Sequence, residues 1–114
     1  MSKDPVILLK FILESIENLE KYMLDVDEEA YTSDIEKQDA AERRLQVIGQ
    51  AIIQLPQEMK DRHPEIEWHK IAGLRNRIVH DYLDIDHDLI WHIIDESVPE
   101  FKIQITGLIQ ESKK

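Results

Sequence analysis

The sequence predicts an all-α fold, an up-and-down bundle of four to five helices built as one domain. Three observations lead there. Apolar residues recur every three or four positions over long stretches, while the strict alternation of a strand is scarce. Only three glycines interrupt 114 residues rich in Glu, Lys, Gln, Leu and Ile, side chains that lose little freedom in a helix. Capping residues and prolines stand where those stretches begin and end. The length suffices for one core, so residues 1–114 read as a single domain, with the bundle over about 5–110 and no internal repeat or linker.

Asp4 is a natural N-cap and Pro5 suits a first helical position, so the first helix starts there. Leu8, Ile12, Ile16, Leu19, Met23 and Val26 form its stripe over about six turns. Residues 25–33 are an acidic connector carrying Tyr31, with room for one helical turn. Ser33-Asp34-Ile35-Glu36 matches a capping box, in which a hydroxyl and a carboxylate satisfy the first free amides. The second helix runs from Asp34 to Leu55 and buries Ile35, Ala41, Leu45, Ile48, Ile52 and Leu55. Glu42, Gln46 and Gly49 lie on its flank, where Glu42 is either a counter-ion for Arg75 or Arg43 or a solvated surface group.

Pro56 stops that helix because it lacks an amide hydrogen and clashes with the preceding turn. Residues 57–62 form a short helix, residues 63–67 an extended lead-in, and residues 68–79 the motif helix, with His80 near its end. Asp84-Ile85-Asp86-His87-Asp88 resembles the start of a calcium loop, yet Leu89 stands where that loop needs glycine and Asp95 where it needs glutamate. Asp86 as an N-cap, with Asp88 in the first turn, explains these acids more simply. The last helix carries Leu89, Ile93, Ser97, Phe101, Ile105 and Leu108 on one stripe, with a kink or break expected over 95–98 because of Pro99. Trp91 and His92 lie off that stripe, where they can face a partner helix. The tail from Glu111 frays.

Composition narrows the function. The chain has no cysteine, which excludes disulfides and thiolate metal sites and fits a cytoplasmic protein. No apolar run approaches the roughly 18 residues of a membrane span, and the N-terminus shows no export signal. A net charge of −10 argues against a general nucleic-acid coat. An RNA-directed role therefore needs its cations gathered locally, and Arg43, Arg44, Arg62, Lys70, Arg75 and Arg77 do come from the two segments nearest the motif.

That motif is Ile71-Ala72-Gly73-Leu74-Arg75-Asn76-Arg77-Ile78-Val79-His80-Asp81-Tyr82. At about 100° per residue, Trp68, Ile71, Ala72, Ile78, Val79 and Tyr82 fall within roughly 60° of Arg75, which puts a permanent charge in the middle of an apolar stripe. An unpaired buried ion costs several kcal/mol, so a carboxylate or a phosphate is expected to meet it. His69, Gly73, Asn76 and His80 share a second seam. Gly73 costs about 1 kcal/mol relative to alanine, which implies close approach by a neighbour. His80 points about 140° away from Arg75 around the wheel, so the two converge on one substrate only in a groove or across a homodimer. A histidine in the last turn is also favoured by the helix dipole, and that structural role stays open.

Arg75, four intervening residues, His80, one residue and Tyr82 resemble the R-x4-H-x-Y signature of the HepT-type toxins of the HEPN superfamily. Residues 41–51, Leu55-Pro56, 64–82 and 86–91 look like this family in the same order. The resemblance implies a HEPN-like dimeric helical bundle acting as a metal-independent endoribonuclease, the toxin of a type VII-like toxin-antitoxin pair. It also implies that Tyr82 is the acceptor for AMP, added by a cognate minimal nucleotidyltransferase antitoxin. Periodicity alone reads Tyr82 as an apolar plug with a wet hydroxyl.

Residue chemistry agrees with RNA as substrate. Histidine exchanges protons near neutrality and arginine is a fork-shaped donor matched to phosphate oxygens. The roles expected are His80 as general base or acid, Arg75 as phosphate clamp and Asn76 as an orienting hydrogen-bond partner, with no metal and no cofactor. The alternative is a non-catalytic dimeric adaptor or nucleotide-binding module in which Arg75 pairs with a core carboxylate.

Overall fold

Four long helical rods, joined by short helical turns, carry the chain in a computed structural model that describes residues 4–80 and 83–113. In order they are α1 (Pro5–Tyr22), α2 (Glu28–Thr32), α3 (Ile35–Gln54), α4 (Gln57–Arg62), α5 (Trp68–His80), α6 (His87–His92) and α7 (Val98–Glu111). A π-helical turn, Ile93–Ser97, joins α6 to α7. Among the described residues there is no strand. The all-α expectation holds, and it is met by α1, α3, α5 and the α6–α7 rod.

Side chains close the helix starts as the sequence suggests, with one correction. Asp4 accepts the Val6 amide at 2.8 Å, Asp27 that of Ala30 at 2.8 Å and Asp86 that of Leu89 at 3.1 Å. At α3 the cap is Asp34, which accepts from the Lys37 amide at 3.2 Å. The Ser33 hydroxyl instead donates to the Glu29 carbonyl, closing the end of α2. The capping box is thus split between two helices, because a helical turn directly precedes it. One residue further on, Ile35 is exposed rather than buried.

Helix α1 stops at Tyr22, a turn earlier than its apolar stripe, and Asp25 takes a left-handed conformation (φ 61°) in the connector that follows. Met23 and Val26 still pack against the core from that connector. The lead-in to α5 is a tight turn rather than extended chain. The Ile66 amide bonds the His63 carbonyl at 3.1 Å, and the Trp68 indole donates to the same carbonyl at 3.1 Å. Ile66 is buried by that turn.

The core lies where α3 meets α1 on one side and α5 on the other, with α7 closing against α1. Ile12, Ile16, Leu45, Ile48, Ile71 and Ile105 are its innermost members. Trp68 meets Phe101 edge-on, with ring centroids 5.9 Å apart. Pro99 acts where expected: the rod does not break, but the Val98 amide reaches back five residues to Ile93, the signature of a π turn. Trp91 and His92 do face a neighbour, the region of α2, through an indole bond to the Val26 carbonyl at 3.4 Å and a His92–Glu28 pair at 3.4 Å.

Candidate active site

Helix α5 buries Trp68, Ile71, Leu74 and Ile78, a stripe that includes Leu74 and leaves Val79 45% exposed. The stripe is therefore rotated relative to the expectation, and Arg75 sits at its edge, half-buried, instead of at its centre. Its guanidinium is not neutralised by a carboxylate among the described residues. The partner is Asn76, whose side-chain oxygen accepts from Arg75 Nη1 at 3.2 Å.

Arg75 opens into a groove of about 480 Å³ between α1, α3 and α5. Ile7 and Phe11 form one wall, Val79 stands opposite with Arg75, and α3 lays Arg43, Gln46, Val47, Gln50 and Gln54 along it. Two arginines and no described acid line this space. Of the six cations expected near the motif, only Arg43 and Arg75 meet here: Lys70 and Arg77 line a different groove, Arg44 bonds the Tyr22 hydroxyl and Arg62 pairs with Glu58.

What lets α5 approach α3 at this point is Gly49. A methyl group there would lie 3.0 Å from Cβ of Arg75 and 3.3 Å from the Ala72 carbonyl oxygen. The close approach expected at Gly73 is absent, since a methyl there meets nothing within 4 Å. Gly73 borders a second groove instead, shared with His69, Lys70, Arg77 and His92. The seam of His69, Gly73, Asn76 and His80 is consequently divided among three environments.

His80 is exposed at the C-terminal end of α5 and does not line the Arg75 groove. One chain presents the cation in a groove and the imidazole outside it. Tyr82, the tyrosine of the motif, lies with Asp81 outside the described residues.

Glu42 is neither a counter-ion for Arg75 or Arg43 nor a solvated flank. Only 7% exposed, its Oε2 accepts from the Tyr31 hydroxyl at 3.0 Å and meets His87 Nδ1 at 2.8 Å. Burial, together with the Glu42 charge and hydrogen bond, pushes the Tyr31 phenol far above its usual range and keeps it protonated. These partners stand 11 and 45 residues from Glu42 in sequence, so no helical spacing announces them.

The helical bundle presents an arginine in a groove and an exposed histidine five residues on, at the end of the same helix. Comparison with known proteins names the class. The chain belongs to the HepT-like ribonuclease family, whose model matches residues 12–108. It is 35% identical, over its whole length, to a "Gamma-glutamylcyclotransferase and putative RNase" of Methanocaldococcus jannaschii, of which it spans about half (51%). It is 31% identical over 97% of its length to a "Putative RNase" of Caldanaerobacter subterraneus, covering 99% of that protein. It is 33% identical over 82% of its length to a "Probable ribonuclease HepT" of Thermococcus cleftensis, covering 86% of it. No solved structure matches the chain.

Proposed function

We propose that this ribonuclease is a metal-independent endoribonuclease toxin that works as a homodimer and is silenced by AMPylation of Tyr82. The observation that carries the reading is Arg75 itself: a guanidinium in a groove lined by no described acid, bonded to an amide and to no described carboxylate. Such a cation is available to a phosphodiester. The adaptor alternative needs Arg75 paired with a core carboxylate, and the one buried carboxylate among the described residues, Glu42, is committed to Tyr31 and His87.

In the reaction, the His80 imidazole takes the proton of the ribose 2′-hydroxyl. The 2′-oxygen attacks phosphorus, and the P–O5′ bond breaks. An imidazolium, His80 of a second protomer, returns a proton to the departing 5′-oxygen. The products are a 2′,3′-cyclic phosphate and a 5′-hydroxyl. Arg75, held by Asn76, stabilises the charge that builds on the non-bridging oxygens. Because His80 is exposed and outside the groove, a two-fold pairing of α5 ends brings one protomer's imidazole to its partner's arginine, and Val79 and the 82% exposed Leu83 supply apolar contact beside it. An adenylate on Tyr82, two residues from His80, adds anionic bulk that blocks the cleft and competes for Arg75. It is added by a minimal nucleotidyltransferase antitoxin, which transfers AMP from ATP to the phenol oxygen and releases pyrophosphate, and no helix of the described chain is long and apolar enough to cross a membrane.

The test is cleavage of total RNA in chelator by protein freed enzymatically of AMP. Wild type is expected to cleave, and His80→Ala or Arg75→Ala to lose about a hundredfold or more while keeping its helical circular dichroism. Equal cleavage by wild type and His80→Ala rejects the mechanism. Co-expression with the nucleotidyltransferase should add adenylate mass to wild type and none to Tyr82→Phe.

A further inference from the structure

We propose that the α1–α3 side of the Arg75 groove is a nucleobase subsite for unpaired RNA, in which Gln46 and Gln50 read the base edge and Phe11 stacks on its face. The inference rests on the proposed ribonuclease reading for its polyanion, but its own support is separate. Gln46, Gln50 and Gln54 recur at a spacing of four, so they share one face of α3, and all three line the groove. The glutamine amides that bond within the chain are those of Gln38 and Gln57. Those in the groove bond no described residue. An amide offers a donor and an acceptor together, the pair that matches a base edge in a bidentate contact. Phe11, 43% exposed, supplies an aromatic face beside them, and unpaired bases stack on such faces.

Charge selects the occupant. Arg43 and Arg75 line the groove with the amides, and no described acid does. Two-fold packing of the whole face on itself would bring four guanidinium groups together without a described carboxylate, so a pairing through the α5 ends, at Arg75 and Val79, leaves the α1–α3 wall to RNA. A phosphate chain neutralises the two arginines, one phosphate at Arg75 for the reaction and one at Arg43 beyond the base. A space of about 480 Å³ has room for one nucleotide, and only an unpaired base can lay its face on Phe11.

The experiment measures binding in the His80→Ala protein, by fluorescence anisotropy with octamers of rA, rC, rG and rU and with a mixed-sequence duplex. The expected result is tighter binding of single strands than duplex, and about a tenfold preference for one base. Gln46→Leu with Gln50→Leu should collapse that preference, whereas Phe11→Ala should weaken every single strand about tenfold and leave their order intact. Equal binding of all four octamers, or a preference that survives both glutamine changes, overturns the proposal. So does a shift of Phe11→Ala from dimer to monomer in sedimentation with RNA affinity unchanged, which would make the groove a self-association surface. Selective binding by His80→Ala with no cleavage by wild type retains the subsite and rejects the catalytic reading, so the two fail separately.

Discussion

Gly49 and Gly73 show how differently two helical glycines are used. Both carry the cost of about 1 kcal/mol that glycine imposes on a helix interior, but only Gly49 has a neighbour that requires it. Gly49→Ala is expected to lose about 1–3 kcal/mol in urea unfolding, the range for forcing extra methyls into packed contact, and to displace Arg75, whose Cβ lies 3.0 Å from the added methyl. Gly73→Ala, facing open space, should gain up to about 1 kcal/mol. Equal effects at the two sites would contradict this assignment. The sequence made both glycines visible and ranked them wrongly, because helical spacing reports which residues share a face and not which face another helix meets. Arg75 shows the same limit. Its chemistry was legible from residue type, whereas its place at the edge of the buried stripe depended on Leu74 turning inward and Val79 outward.

Between helices, Glu42 ties α2, α3 and α6 together through one carboxylate oxygen. Replacing Tyr31 by Phe removes one of its two donors, and near neutrality should cost about 1 kcal/mol. At high pH the sign changes. The folded state holds Tyr31 protonated well above its ordinary value of 10.0, so above about pH 10 the unfolded chain binds fewer protons and stability falls as pH rises. Tyr31→Phe should therefore lose less stability than wild type between pH 10 and 12, as read by urea midpoints across that range. Parallel midpoint curves for the two proteins would show that Tyr31 is not the group responsible. At this scale the element boundaries were largely readable, since Asp4, Pro5, Pro56 and Asp86 act through their immediate neighbours. The link between Tyr31, Glu42 and His87 was not, because it joins three segments that meet only after folding.

For the whole molecule, the proposed pairing of two protomers predicts self-association. Leu83→Asp, at a position 82% exposed, should leave helix content unchanged, shift the sedimenting species from dimer to monomer and reduce cleavage with it. A wild-type monomer with full activity would remove the need for a second protomer. No described acid lines the groove, so the excess negative charge does not stand directly against Arg75. The π turn at Ile93–Ser97 has its own consequence for this layout. By taking up one more residue than an ordinary turn, it resets the angular phase of the rod, so that α6 is keyed to α2 while α7 is keyed to α1. The segment α6 just beyond the motif and the C-terminal helix α7 can thus change sequence under separate constraints, like two keys cut on one shaft.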